Sequence, residues 1–531
     1  MMKGIYLYMT MCIAAIALTA CTNELEESTV PADALVLTVG GFPAFQETTE
    51  TRAVGTFDPG KTEWTSGDKV LVRISSNGST TQYATLTYEN NTWTANPTLT
   101  RPESAFTVEA WYAPAYSWDN NGNMTTSAAG TGEFLHQTLD NQSQRNIEIN
   151  FSDAVRDYSR LRIAGSSGTN LNVSLTDFTP AGGGTAPSSY TLTTDSKGNA
   201  YLYGTWTGSS NLDVTYGSQS LVNKDNITPS VANTSYVVDA SFANISNANS
   251  WNSIGDGTAD CPYILLNGAQ LYDLATNSSA NRDAQYKMAA DIDLSQYSSN
   301  WTPFSFSGTF DGDGHAITGF TYSGSTMQFG LFNQNNGTIK NLTIRDCNIV
   351  NNQVNANTAA IAAQNNSGGV IENCHVVGGS ISSPYAAGIV CTSNGGRIIA
   401  CSNSATLSGS YVAGISYTVT SDADFIGCYN AGELNGSSGS TGIWRMAILG
   451  VTITTSSCYT IYSNIYHDGE ISTLNITHCY YLNGSTITEQ SGSTIADWQT
   501  AIENMNSTLQ QGGYNYRYEM GTGGLPVINN Q

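Results

Sequence analysis

The sequence predicts an all-β protein in which tandem β-sandwiches are followed by a parallel β-helix. Three observations predict it. Charged residues make up only 11% of the chain, with Tyr 29 and Gly 52 against Pro 13, where soluble domains usually carry ~25% charged residues. The polar share falls instead on Ser, Thr, Asn and Gly, a strand-and-turn composition. Apolar residues alternate with period two through the N-terminal half, the mark of half-buried strands. In the C-terminal half, two columns of residues recur at one shared period, the mark of a solenoid.

Charge excludes one class of partner at once. Lys+Arg 19 against Asp+Glu 42 gives 19 − 42 = −23, and after Arg345 only Arg397, Arg445 and Arg517 remain basic. Nucleic-acid binders neutralise phosphates with clustered Lys and Arg, so none is expected here. At 531 residues and 40% hydrophobic, the chain is long enough for several cores.

The first residues read as an address. Lys3 precedes the apolar run Met9 to Ala20, the layout of a secretory signal peptide over residues 1–20. The run ends Leu18-Thr19-Ala20-Cys21, which resembles the bacterial lipobox, whose Cys becomes the lipidated first residue. Thr22-Asn23-Glu24-Leu25-Glu26-Glu27 then resembles the acidic tether of surface lipoproteins in the Bacteroides group. These resemblances imply lipidation at Cys21, a tether over 21–33, and attachment to the outer membrane, exposed at the surface.

From residue 34 the alternation begins: Leu35, Leu37 and Val39; Val70, Val72 and Ile74; Ile147, Ile149 and Phe151; Leu161 and Ile163. Asn77-Gly78, Asn121-Gly122 and Gly182-Gly183-Gly184 mark turns between them. About 210 residues of this kind suit two sandwiches, expected over 34–140 and 141–248, the second beginning ahead of the Ile147–Phe151 strand. Thr51-Arg52-Ala53, Trp64-Thr65-Ser66-Gly67-Asp68-Lys69-Val70 and the aromatic stretch Phe106 to Tyr116 resemble fimbrillin-like lipoproteins. That resemblance implies paired transthyretin-like sandwiches and a role as fimbrial subunit or tip adhesin. It also marks Arg52 as a processing site, beside the plainer reading of a loop arginine.

The repeat starts after an opening cap over 249–320. Within it, Asn267 and Gln270 stand as N-cap and N3 of a capping box, ahead of Leu271, Leu274 and Ala275 on one helical face. Gly330-Leu331, Ala360-Ile361, Gly388-Ile389, Gly414-Ile415 and Gly442-Ile443 follow at steps of 30, 28, 26 and 28. Leu342, Cys374, Cys401, Cys428 and Cys458 follow at 32, 27, 27 and 30. Two ladders in phase place one residue above its equivalent in successive coils ~4.8 Å apart, a right-handed parallel β-helix over 321–490. The Cys ladder is expected inside, as free thiols. Phe306-Ser307-Gly308-Thr309-Phe310-Asp311-Gly312-Asp313-Gly314-His315 and Gly330-Leu331-Phe332 resemble the GLUG-motif proteins of bacterial surfaces, a family without an agreed enzymatic activity. At the C-terminal cap (491–531), Ile495, Trp498, Ala501, Ile502, Met505 and Leu509 share a helical face, with Thr494 as N-cap.

Chemistry is sparse. The chain has no His-Glu-x-x-His, no phosphate loop with Lys and no Gly-x-Ser-x-Gly elbow, and His136, His315, His375, His467 and His478 lack ligand spacing. Asp311-Gly312-Asp313-Gly314 reads as a tight turn, not a calcium loop. No catalytic residue, metal ligand or cofactor is assigned. Asp422 and Asp424, two apart on a strand, keep a carbohydrate-active β-helix enzyme open as the alternative. The preferred expectation is a non-catalytic surface adhesin or fimbria-associated protein, binding glycans, host matrix proteins or fimbrial subunits. Trp111, Tyr112, Tyr116 and Trp118 are its candidate binding aromatics. An amide-rich or apolar coil face would favour binding; carboxylates converging on one solvent-facing column would favour the enzyme.

Overall fold

The computed structural model describes residues 33–47, 58–206, 210–225, 227, 231–245, 248–466 and 473–530. They fall into two units. In the first, an antiparallel sheet runs in the order Thr92–Asn96, Gln82–Glu89, Lys69–Ser76, Phe106–Tyr112, Leu135–Gln142. Its core holds the alternating residues Val70, Val72 and Ile74 together with Leu35, Leu37 and Val39. Val36–Val39 pairs in parallel with Asn146–Ile149, and Ile147, Ile149 and Phe151 are buried in this same core. That corrects the expected boundary: the Ile147–Phe151 strand closes the first sandwich, and the second unit resumes at Arg156.

The second unit opens with another sandwich. One sheet runs Phe178–Pro180, Asn199–Trp206, Ser159–Ala164, Thr234–Asp239, Gln46–Glu47; the other runs Tyr190–Thr193, Asn170–Leu175, Leu212–Tyr216, Gln219–Lys224. Leu161, Ile163, Leu171, Val173, Leu202 and Val214 fill it, and its core continues into Ile254 and Ile264.

Ile264 already lies on the first rung of the β-solenoid, which makes about six turns. Its nine-stranded parallel sheet starts at Tyr263–Leu265 and Gln285–Met288, so the coils begin well before residue 321. Between those two strands, helix α1 (Gly268–Thr276) buries Leu271, Leu274 and Ala275 in the coil core. Asn267 caps it, accepting from Gln270 N at 3.0 Å, and Gln270 Oε1 accepts in return from Leu266 N at 2.7 Å.

Both sequence columns are inward columns. Leu331, Ile361, Ile389, Ile415 and Ile443 are fully buried, and their corners hydrogen-bond coil to coil, as Gly388 N to Gly414 O (3.2 Å) and Ile415 N to Ile443 O (3.1 Å). The glycines are required by what faces them. A Cβ on Gly414 would sit 2.1 Å from Gly442 O and 2.4 Å from the Asn430 Cβ. Cys374, Cys401, Cys428 and Cys458, continued by Cys479, are buried free thiols. Each donates to carbonyls of its own and the preceding coil, as Cys428 Sγ to Ile398 O at 3.3 Å. Burial also pushes the neighbouring Cys347 thiol up to about 12. The residues just before this column, Asn341, Asn373, Ala400, Gly427, Ser457 and His478, all have φ between 47° and 64°, so one left-handed corner repeats through six successive coils.

At that corner a hydrogen-bond relay crosses coils. Asp311 Oδ1 accepts from Asn341 Nδ2 (2.9 Å), and Asn341 Oδ1 accepts from Asn373 Nδ2 (2.9 Å). Asn373 Oδ1 therefore faces His375 Nε2 at 3.0 Å as an acceptor, leaving His375 Nδ1 to accept from Ser402 Oγ at 2.8 Å. The relay fits the neutral ring, and burial lowers the His375 pKa to about 4.

Helix α2 (Trp498–Gln511) buries Trp498, Ala501, Ile502, Met505 and Leu509 as expected. Its N-cap is Asp497, which accepts from Thr500 N at 2.9 Å; Thr494 instead pairs with Thr488 in a strand. The helix packs on Ile399, Ala400, Ile426 and Tyr459, so it covers the left-handed corners along several coils. Pro526–Asn530 forms a hairpin with Tyr516–Met520 and adds no rung to the solenoid.

Two outcomes are expected. Gly414→Ala should lose about 2 kcal/mol or more in denaturant titration, since overpacking a filled core costs ~1–3 kcal/mol; Gly523→Ala, with nothing within 4 Å, should be neutral. Between the unfolded His pKa of ~6.5 and the folded value of about 4, the unfolded chain binds the proton first, so stability falls as pH drops through that window. The loss over the whole window is at most about 3.5 kcal/mol at ~1.4 kcal/mol per unit, and His375→Asn should remove the part of it that falls between pH 7 and pH 4.5.

A groove beside an amide ladder

The outward positions of the coils stack as strictly as the inward ones. On the six-stranded parallel sheet formed by Phe304–Phe306, Phe332–Asn335, Ala362–Asn366, Val390–Asn394, Ser416–Ser421 and Trp444–Ala447, one outward column runs Gln334, Gln364, Thr392 and Thr418 and ends at the exposed Met446. Gln334 Nε2 donates to Gln364 Oε1 at 3.1 Å. Asn366 Nδ2 donates to Asn336 Oδ1 at 2.8 Å, and Asn394 Nδ2 to Asn366 Oδ1 at 3.3 Å. Thr420 and Ser421 complete the column, donating to Asn394 Oδ1 at 3.0 and 3.3 Å.

Immediately after this ladder each coil turns towards the nine-stranded sheet, and two successive coils turn on Gly368-Gly369 and Gly395-Gly396. Gly369 and Gly396 are forced by the interior, because a Cβ there would lie 2.5 and 2.3 Å from the buried Asn365 amide. Over these turns lies a groove of about 330 Å³, lined by both glycine pairs, Val370, Arg397, Asp422, Ala423, Asp424, Thr452 and Thr454. Arg397 and Asp424 are register partners on adjacent rungs, with Arg397 Nε 3.5 Å from Asp424 Oδ2. Arg397 Nη2 also donates to Tyr514 Oη at 2.8 Å. Asp422 Oδ1 accepts from Thr452 N at 2.6 Å, tying down the next coil.

Asp422 and Asp424 thus line one groove, as two-residue spacing on a strand implies. Each is engaged differently, one by a guanidinium and one by a backbone amide. Glu372, on the same sheet, accepts from Tyr516 Oη at 2.9 Å. Among the described residues no group of three or more His, Cys, Asp or Glu is placed to hold a metal ion. Asp311 Oδ1 accepts from Asp313 N at 2.9 Å, making the Asp-Gly-Asp-Gly segment a turn.

The four candidate aromatics do not form one surface. Trp111 and Tyr112 are both buried at 7% exposure, and strand alternation sends them to opposite faces: Tyr112 into the main core, Trp111 into a small cluster with Leu71 and Ala113. His136 stacks on Trp111 at 4.7 Å. These two are corrected to core residues. Trp118 is half-buried against the same cluster and donates to Ala84 O at 3.0 Å, while Tyr116 lines a shallow depression with Pro114, Ser117 and Thr125. Cys21 and Arg52 lie outside the described residues, as do His467 and its neighbours. On either side of Arg52, Gln46–Glu47 pairs with Thr234–Ser235 and Asp58 accepts from Tyr201 Oη at 2.6 Å.

Sequence reasoning missed the groove, although its signal was present: Asn366-Ser367-Gly368-Gly369 and Asn394-Gly395-Gly396-Arg397 repeat one coil apart.

Residues 270–378 match a family model described as the M26 IgA1-specific metallo-endopeptidase N-terminal region. A 114-residue stretch is 35% identical to halomucin of Haloquadratum walsbyi, spanning 18% of this chain and 1% of halomucin. Among solved structures, a candidate immunoglobulin A1 protease from Bacteroides ovatus aligns over 52% of this chain and 95% of its own, at 15% identity and TM-score 0.39. A candidate cell adhesion protein from Bacteroides fragilis aligns over 40% and 94%, at 11% identity and TM-score 0.25. Likenesses this distant carry no argument about chemistry, which rests on the groove and the ladders.

Proposed function

We propose that this protein is a surface lipoprotein of the outer membrane that binds and does not catalyse, an adhesin or fimbria-associated component. In this reading its N-terminal half is fimbrillin-like, its solenoid is of the GLUG type, and Cys21 carries the lipid. One observation carries the binding role: the hydrogen-bonded column Asn336, Asn366, Asn394 and Thr420 presents a fixed, uncharged array on the coil surface. Such an array hydrogen-bonds a partner without the cost of desolvating charge. With a net charge of −23, neutral glycans and protein surfaces are preferred over sulfated ones. The second reading, a polysaccharide-cleaving enzyme, is kept because Asp422, Asp424 and Arg397 share one groove.

Binding of the intact protein should appear on an array of glycans and matrix proteins, with no product released from pectin or mucin-glycan panels. Product release lost in Asp424→Asn would establish the enzyme instead. Cys21→Ala should block lipidation and release the protein from the membrane fraction; a variant that kept its lipid and stayed bound would refute the anchor.

A further inference from the structure

Resting on that binding reading, we propose that the groove at Arg397 and Asp424 is the ligand site and that it takes a neutral saccharide presenting vicinal hydroxyls. A sugar hydroxyl donates one hydrogen bond and accepts others, so adjacent hydroxyls are met best by a donor and an acceptor side by side. Arg397 and Asp424 supply that pair on neighbouring rungs, 3.5 Å apart. Arg397 is also held by Tyr514 Oη, which accepts from its Nη2, so less of its side-chain freedom is lost on binding. Thr452 and Thr454 add hydroxyls on the next rung of the same lining.

The floor is the second argument. Both glycine pairs line the groove, and a Cβ on Gly368 would meet nothing within 4 Å, so its absence leaves the backbone there open to an approaching ring. At about 330 Å³ the groove is at the small end of ligand sites, ~300–1,000 Å³, a size for a short oligosaccharide segment. Val370 and Ala423 are the only apolar side chains in the lining, too little to seat the anchor residues of a peptide. Asp422 and Asp424 against one arginine disfavour phosphate, sulfate and uronate. Neutral sugars remain.

The test is calorimetric titration of the intact protein with gluco-, galacto-, manno- and xylo-oligosaccharides, alongside Asp424→Asn and Arg397→Gln. At least one neutral series should bind, with affinity lowered tenfold or more by Asp424→Asn and by Arg397→Gln. Unchanged melting and circular dichroism will separate this loss from misfolding. Lys340→Gln, on the same sheet but outside the groove, should bind as the parent does. Saccharide binding unaffected by both groove variants would overturn the site and leave the binding function standing. The site also falls if no neutral series binds, or if only lysine-rich peptides bind. Cleavage of a bound oligosaccharide would instead overturn the non-catalytic reading.

Discussion

The structure depends on one constraint: each coil of the solenoid must lie in register on the next. Parallel stacking hydrogen-bonds every strand to its neighbours above and below, and it also places each side chain over its equivalent. A buried polar group can then be satisfied by the same residue type one coil away. Asn335 donates to Asn365 and Asn403 to Asn430, each at 2.8 Å. Without those partners each amide would cost ~1–3 kcal/mol. The same constraint dictates small residues, because Asn403 and Asn430 take up the space into which a Cβ of Gly388 or Gly414 would point.

The left-handed corner shows how a locally unfavourable conformation is tolerated when repeated. A non-glycine residue pays ~1–2 kcal/mol there, and Ala400 and Ser457 occupy it at φ 53° and 54°. The Cys column that follows, the coil-to-coil bonds and the cover of α2 fix it in place. Ser457 Oγ donates to the carbonyl of Met505 in α2 at 2.9 Å, and His478 Nδ1 lies 2.6 Å from Thr508 Oγ1. The helix therefore protects a seam along the flank of the coils.

Stacking also makes a functional surface cheap to build. The interior fixes Gly369 and Gly396 against the Asn365 amide, and the turns they make line the groove. The outward residues then decide what it can hold. Arg397 and Asp424 face each other because they are 27 positions apart, one coil, so a charge pair distant in sequence becomes adjacent in space. The amide ladder on the neighbouring sheet arises in the same way, from Asn residues 30 and 28 apart.

The sequence by itself determined the features that are periodic. Alternation located the strands around Val70, Leu161 and Ile163, and the Gly-Ile and Cys ladders located the coils. Periodicity is local information, written in spacing. Only the tertiary structure decided the rest. Asn146–Ile149 pairs with Val36–Val39 across about 110 residues, and nothing in either strand's spacing names its partner. Trp111 and Tyr112 are adjacent aromatics, yet the pleat sends them into two separate clusters. The face of α2 was legible from its apolar residues, but which surface it covers depends on where the coils leave an open seam. The groove, finally, is lined by glycine turns and by pairs formed between coils, and such pairs exist only after the chain has stacked.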